Sequence, residues 1–357
     1  MAKDVLIVTG TRPEIIKMAP VYKEFKAQGY SIEWCHTGQH DTLAEQTFDV
    51  FGIAPDYVFS RPEGNGLTNL LAGLMKNIES VIQAKKFDCV LVHGDTSSTL
   101  AGALTAFYNQ VPFIGHVEAG LRSGNMQHPF PEESNRTLVA QIANLHFAPT
   151  KAARDALLRE GIPHEHILVT GNTAVDAQQY LLDSGKIIKQ ETNTVLVTAH
   201  RRENWASIPT ICSAIKALSA QKPELEFVLA THPNPVVKEA VLSNVKDCLA
   251  IKVVEPLDYM ELQQTLAQAR LVLTDSGGIQ EEAPTFGTKV VVLRETTERP
   301  EAVNMGLSQL AGATDVNRIL NSALALLDEG NDPQAINPYG DGQSSSRIVE
   351  QIKLLLN

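Results

Sequence analysis

What most constrains this chain is an alternation repeated along its length: short runs rich in Val, Ile and Leu, each followed by a longer stretch with helical spacing. Eleven such runs stand out. DVLIVTG, SIEWCHTG, CVLVHGD, VPFIGHVEA and NLHFAPT fall in the first half; ILVTGN, TVLVTAH, EFVLATH, IKVVEP, RLVLTDS and KVVVLRE fall in the second. They are continuous apolar runs, the pattern of strands buried on both faces of a parallel sheet. Residues 101–109 and 207–220 are typical of the amphipathic stretches between them. Strand and helix in strict alternation build βαβ units. The 357 residues exceed the length over which one core keeps growing, so two domains are expected. The fold class is therefore α/β, two Rossmann-like doubly wound domains. Ligands of such sheets gather at the carboxyl ends of the strands, which puts the expected site in a cleft between the domains.

Gly161 and Pro163 punctuate the pattern and set the expected boundary, with a first domain over 1–166 and a second over 167–340. Residues 332–346, rich in Pro, Gly, Asn and Ser, lead to a last helix within 341–357 that is expected to return to the first domain. A net charge of −11 disfavours nucleic acid or an anionic membrane surface as partner, while leaving room for a local basic pocket. Cys35, Cys89, Cys212 and Cys248 form no CxxC pair and read as reduced core thiols. The opening MAKDVLIVTGTRPE has too short an apolar run for a signal peptide or a membrane span, so a cytoplasmic protein is expected.

The candidate chemistry lies just after strands. In TGTRPEIIK, Thr11 and Glu14 have capping-box spacing, and a helix start flanked by Arg12 and Lys17 attracts phosphate. It is neither GxxxxGK nor GxGxxG, which disfavours a P-loop ATPase or an NAD enzyme. In TDSGGIQEEAPTFG, the backbone of Ser276, Gly277 and Gly278 can face an anion, with Glu282 within reach of an attached ribose. Acids recur at the end of the first sheet: Asp95 in VHGDTSST, Glu118 in HVEAGLRSG, and Glu132 with Glu133 in PFPEESNR. Each alone is more often a cap or an ion-pair partner. Together they suggest proton transfer, with Arg122 and Arg136 as counter-ions in place of a metal. His200, in VTAHRREN, suits protonating or hydrogen-bonding a leaving phosphate. His93, His116 and His232 read as structural or orienting.

In their order, GTRPEIIKMAP, HTGQH, VHGDTSST, HVEAGLRSG, PFPEESNR, HFAPT, TGNTAVD, VTAHRREN, HPNP and TDSGGIQEE resemble the non-hydrolysing UDP-N-acetylglucosamine 2-epimerases over nearly the whole chain. The resemblance implies a GT-B-like fold, a homodimer, and interconversion of UDP-GlcNAc and UDP-ManNAc with neither NAD nor an obligatory metal. It implies a supply of ManNAc for bacterial surface polysaccharide. It makes Asp95, Glu118, Glu132 and His200 catalytic, and Arg12, Lys17, Arg136, Ser276, Gly277, Gly278 and Glu282 substrate-binding. It associates Gln39, His40 and His232 with an effector site for UDP-GlcNAc, although EGNGL at 63–67 lacks the basic residue of some relatives. A hydrolysing epimerase, a GT-B glycosyltransferase and a non-enzymatic UDP-sugar sensor are the competing readings.

Overall fold

The apolar runs pair side by side, every pairing parallel, into two sheets of a computed structural model that describes residues 3–39 and 44–356. The first contains β1 (Asp4–Thr9), β2 (Ser31–His36), β3 (Tyr57–Val58), β4 (Cys89–His93), β5 (Phe113–Val117), β6 (Leu145–Ala148) and β7 (Ile167–Val169), in the order β3-β2-β1-β4-β5-β6-β7. The second contains β8 (Thr194–Thr198), β9 (Glu226–Ala230), β10 (Ile251–Val254), β11 (Leu271–Thr274), β12 (Val290–Val292) and β13 (Ser308–Leu310), in the order β10-β9-β8-β11-β12-β13. Both orders reverse at the same step. The chain lays two strands to one side of β1 or β8, then starts again on the other side with β4 or β11. The loops after β1 and β4, and those after β8 and β11, therefore open next to each other at the edge where such sheets bind ligands.

The chain divides into two compact units, one running to Ala177 and resuming at Tyr339, the other Gln178–Pro338. In the first, the helices Leu67–Ala84 and Ser97–Tyr108 pack on each other over a core that includes Leu6, Val8, Leu74, Ile78 and Val90. In the second, the helix Val316–Glu329 buries Ile319, Leu320, Ala323, Leu326 and Leu327, a helical repeat that lays one face on the sheet. Asp315 caps its start by accepting from the amides of Asn317 and Arg318, and Gly330, with φ of 73°, ends it. Each fully buried Leu or Ile contributes on the order of 1.5–3 kcal/mol.

The structure corrects the reading of ILVTGN as the opening of the second half. Its strand, β7, pairs with β6 and is the last strand of the first sheet. Gly161 and Pro163 mark only a connection inside that unit, through the 3₁₀ turn His164–His166. The helix Thr173–Asp183 carries the chain across the division, and the helix Ser344–Leu356 returns to pack on the helix Arg12–Ala27. β3 and β13, of two and three residues, are too short to carry a pattern. Cys35, Cys89 and Cys212 are buried free thiols, and Cys248 is half-buried and free. Among the described residues no helix is long and apolar enough to cross a membrane.

Candidate functional site

In the first unit the site begins with Glu14. The capping box expected from Thr11 and Glu14 does not form, since the Thr11 side chain makes no cap bond. Glu14, 2% exposed, turns inward instead. Its Oε2 accepts from the Gly10 amide (2.9 Å) and the Thr11 hydroxyl (2.9 Å); its Oε1 accepts from the hydroxyls of Thr96 (2.8 Å) and Thr99 (3.0 Å). One buried carboxylate thus ties the loop after β1 to the loop after β4. Burial raises its pKa, and the hydrogen bonds act in the opposite direction. The capping box is at Thr96 and Thr99, at the start of the helix Ser97–Tyr108, where a Thr stands in for the usual Glu or Gln. Arg12, half-buried, opens its helix with no side-chain partner among the described residues. Gln39 accepts from the Ser98 amide and hydroxyl (2.9 and 2.8 Å), and its carbonyl accepts from Arg61. His40 lies outside the described residues.

The acids divide by partner. Arg136 donates from Nε and Nη2 to Asp95 Oδ2 (2.8 and 2.6 Å) and from Nη1 to Glu133 Oε2 (3.1 Å). Burial works against the Arg136 charge, but the two carboxylates more than offset it and raise its pKa. The Asn135 amide also donates to the Asp95 carbonyl (2.8 Å). Glu133 is buried and accepts from the amides of Ser123 and Gly124 (2.9 and 3.0 Å), so it fastens a loop. Glu132, its neighbour, is half-buried, and its carboxylate has no partner among the described residues. Arg122 does not stand beside these acids: it pairs with Glu160 at 2.7 and 2.8 Å.

Glu118 takes Lys17 as its counter-ion, and the Asn172 amide lies 3.3 Å from the same Oε2. His93 Nε2 is 3.7 Å away. Glu118 has φ of 64°, a left-handed backbone that among the described residues only Gln110 shares outside glycine. Such strain persists where surrounding contacts over-determine the backbone, and it concentrates at functional sites. A Cβ on Gly94 would stand 3.9 Å from Glu118 Oε1, so this carboxylate abuts the turn that carries Asp95. His116 holds the same turn, its Nε2 2.7 Å from the Gly94 carbonyl, and burial lowers its pKa to about 3.

In the second unit the organising group is Asp275, which the sequence reading passed over between Thr274 and Ser276. It has no exposure. Oδ1 accepts from the His200 amide (3.0 Å), and Oδ2 from the Arg201 amide (3.0 Å) and the Asn204 side chain (2.9 Å). Arg201 Nε donates to its carbonyl (3.0 Å). A buried acid again joins the two loops at the reversal of strand order, now those after β8 and β11. An apolar run ending in an acid, as in VHGD, was the signal available. Burial lowers the pKa of His200; the Asp275 charge opposes this and His232, with ring centroids 5.9 Å apart, adds to it.

The Ser276 amide donates to Thr274 Oγ1 (3.0 Å). A Cβ on Gly277 would meet Arg299 Nη1 at 2.6 Å, so a side chain there would displace that guanidinium. Arg299 in turn donates to the buried Glu281 (2.6 Å). Gly278 is open: a Cβ there would meet nothing closer than Glu282 Oε1 and Ser276 Oγ, each at 3.9 Å. Glu282 Oε2 accepts from Gln263 (2.6 Å). Among the described residues no three His, Cys, Asp or Glu side chains gather as a metal's ligand set.

Comparison with known proteins identifies the family of the chain. The family profile described as UDP-N-acetylglucosamine 2-epimerase matches residues 23–353. Proteins named UDP-N-acetylglucosamine 2-epimerase from Salmonella typhimurium and Bacillus subtilis are each 42% identical, over 98% of this chain and 98% and 94% of their own. The crystal structure of UDP-GlcNAc 2-epimerase from Neisseria meningitidis, bound to UDP-GlcNAc, superposes with a TM-score of 0.89 at 38% identity, covering 99% of this chain and 100% of that one. The chain belongs to the UDP-N-acetylglucosamine 2-epimerase family.

Proposed function

We propose that this chain is a non-hydrolysing isomerase that interconverts UDP-GlcNAc and UDP-ManNAc. What carries the reading is the placement of Asp95 and Glu118 at the carboxyl ends of the paired strands β4 and β5, each against a cation, in a chain of this family. The sugar C2–H has no adjacent carbonyl and is not acidic, so deprotonation and reprotonation alone are too slow. Elimination avoids that carbanion. A base takes the C2 proton as the C1–O bond breaks, UDP leaves with the electron pair, and 2-acetamidoglucal remains. Re-addition of UDP at C1 with protonation of C2 on the opposite face gives the epimer.

Asp95 and Glu118 are the proton-transferring pair, and Glu132 the supporting acid. Arg12, Lys17 and His200 hold the departing diphosphate. Lys17 also neutralises Glu118; as the diphosphate draws Lys17 away, Glu118 becomes the stronger base. The first unit supplies the acids. The second binds the UDP moiety through the turn 276–278 and, at the ribose, Glu282. The reaction is taken to need neither NAD nor an obligatory metal, and the protein to work in the cytoplasm, as a homodimer, supplying ManNAc for surface polysaccharide. Exposed Phe107, Tyr108 and Leu138, on the mutually packed helices Ser97–Tyr108 and Glu132–Ile142, favour a dimer.

Activation by UDP-GlcNAc at a second site near Gln39, His40 and His232 is expected to survive but to be shallow, because 63–67 offers no cation. A trace of UDP-GlcNAc should then quicken an initially slow UDP-ManNAc reaction; linear progress unaffected by the trace would remove the effector site. Proton NMR of UDP-GlcNAc incubated with the protein tests the main reading. UDP-ManNAc should appear. Free ManNAc with UDP would mean hydrolysis, transfer to an added acceptor a glycosyltransferase, and an unchanged spectrum a sensor.

A further inference from the structure

A chain of buried side-chain hydrogen bonds runs through the second unit and ends on Glu282. Asn337 Nδ2 donates to Thr285 Oγ1 (2.8 Å) and Thr285 Oγ1 to Gln178 Oε1 (2.5 Å). Gln178 Nε2 donates to Gln263 Oε1 (2.7 Å) and to the Glu282 carbonyl (3.1 Å), and Gln263 Nε2 to Glu282 Oε2 (2.6 Å). Gln178 and Gln263 have no exposure, and Asn337 is 7% exposed. The polarity of the chain is forced. An ionised carboxylate only accepts, so Gln263 must turn its NH₂ toward Glu282 and its oxygen toward Gln178. Gln178 must then offer its own NH₂ to Gln263 and its oxygen to Thr285. Each link thus runs in one direction.

Tyr259 precedes Gln263 by one turn on the helix Tyr259–Gln268 and is buried. Burial, with the Glu282 charge behind it, raises its pKa well above the ordinary phenol value and keeps it protonated. Tyr259 and Gln263, spaced i and i+4, lie on one face of that helix, and Gln263 is the one that bonds the carboxylate. A carboxylate fixed through Oε2 by Gln263, with Oε1 3.9 Å from where a Cβ on Gly278 would stand, is suited to accept hydrogen bonds from a vicinal diol.

We propose that Gln263, oriented by Gln178, is a positioning and specificity-determining residue: it locks the Glu282 carboxylate in the pose that recognises the ribose hydroxyls of a uridine diphosphate. The proposal rests on the reading of this unit as the UDP-binding one. Its readout is a selectivity ratio, because a residue that merely supports the fold would weaken all nucleotides alike.

Titration calorimetry on the full chain with UDP and with 2′,3′-dideoxy-UDP provides the test. The wild type should prefer UDP by roughly tenfold or more, the scale of a charge-assisted hydrogen bond. Gln263→Met should remove most of that preference while leaving dideoxy-UDP affinity within about twofold; Glu282→Gln should do the same. Gln178→Met should likewise lower the preference, since Gln263 then loses the donor that fixes its orientation. A Gln263→Met protein that keeps the wild-type preference, or loses affinity for both nucleotides equally, overturns the proposal. Tight UDP binding by the wild type with no preference over dideoxy-UDP overturns it while leaving the nucleotide reading intact. No UDP binding by the wild type overturns both.

Discussion

At the scale of single residues, acids with similar sequence settings have different environments. Glu132 and Glu133 are neighbours, yet Glu133 is spent on two amides and Arg136 while Glu132 keeps a carboxylate with no partner among the described residues. Asp95→Asn, Glu118→Gln and Glu132→Gln each keep shape and remove a titrating group. Each should lower kcat by about 10²–10⁴ with UDP affinity, read by calorimetry, largely kept. Turnover within about threefold of wild type would make that acid structural. Glu133→Gln should act through stability: it places an amide NH₂ among donors and should cost about 1–3 kcal/mol in chemical denaturation. His200→Asn should slow loss of UDP, and 2-acetamidoglucal with free UDP accumulating in any variant would identify the step it controls.

At the scale of elements, the positions of the motifs were legible in the sequence because they end long apolar runs, and the fastenings between loops were not. Glu14 and Asp275 do their work through partners distant in sequence: Glu14 reaches Thr96 and Thr99, and Asp275 reaches 200–204. Spacing along one helix suggested a local cap for Glu14, and nothing local betrays its partners on the next loop. Asp275→Asn should leave an N–H of residue 200 or 201 unsatisfied and withdraw the charge that supports a protonated His200. The His200 titration followed by NMR should then move to lower pH; an unmoved titration would show that Asp275 does not govern this histidine.

The buried strands also carry a pH prediction. Burial lowers His116 on β5 to about 3 and His146 on β6 to about 4. Between those values and about 6.5 the unfolded chain binds protons that the folded chain refuses, so stability rises with pH through that window and is lost as pH falls. One such histidine gives a slope of up to about 1.4 kcal/mol per pH unit. Denaturation midpoints taken from pH 7 down to 4.5 should fall, and His116→Gln should flatten the slope. Midpoints independent of pH in that range would refute the assignment.

At the scale of the whole molecule, two sheets were legible because the strands among the described residues mostly announce themselves as continuous apolar runs, with β3 and β13 too short to do so. The division of the chain was misread because a Pro and a Gly inside a connection look the same as those at a boundary. The account as a whole turns on the chemistry at C2. If UDP is eliminated and re-added, the C2 proton exchanges with solvent, and UDP-ManNAc formed in deuterium oxide must carry deuterium at C2. Proton NMR of the product formed from unlabelled UDP-GlcNAc reads this directly: the account predicts loss of the C2 proton signal, and UDP-ManNAc that keeps its original C2 proton would contradict it.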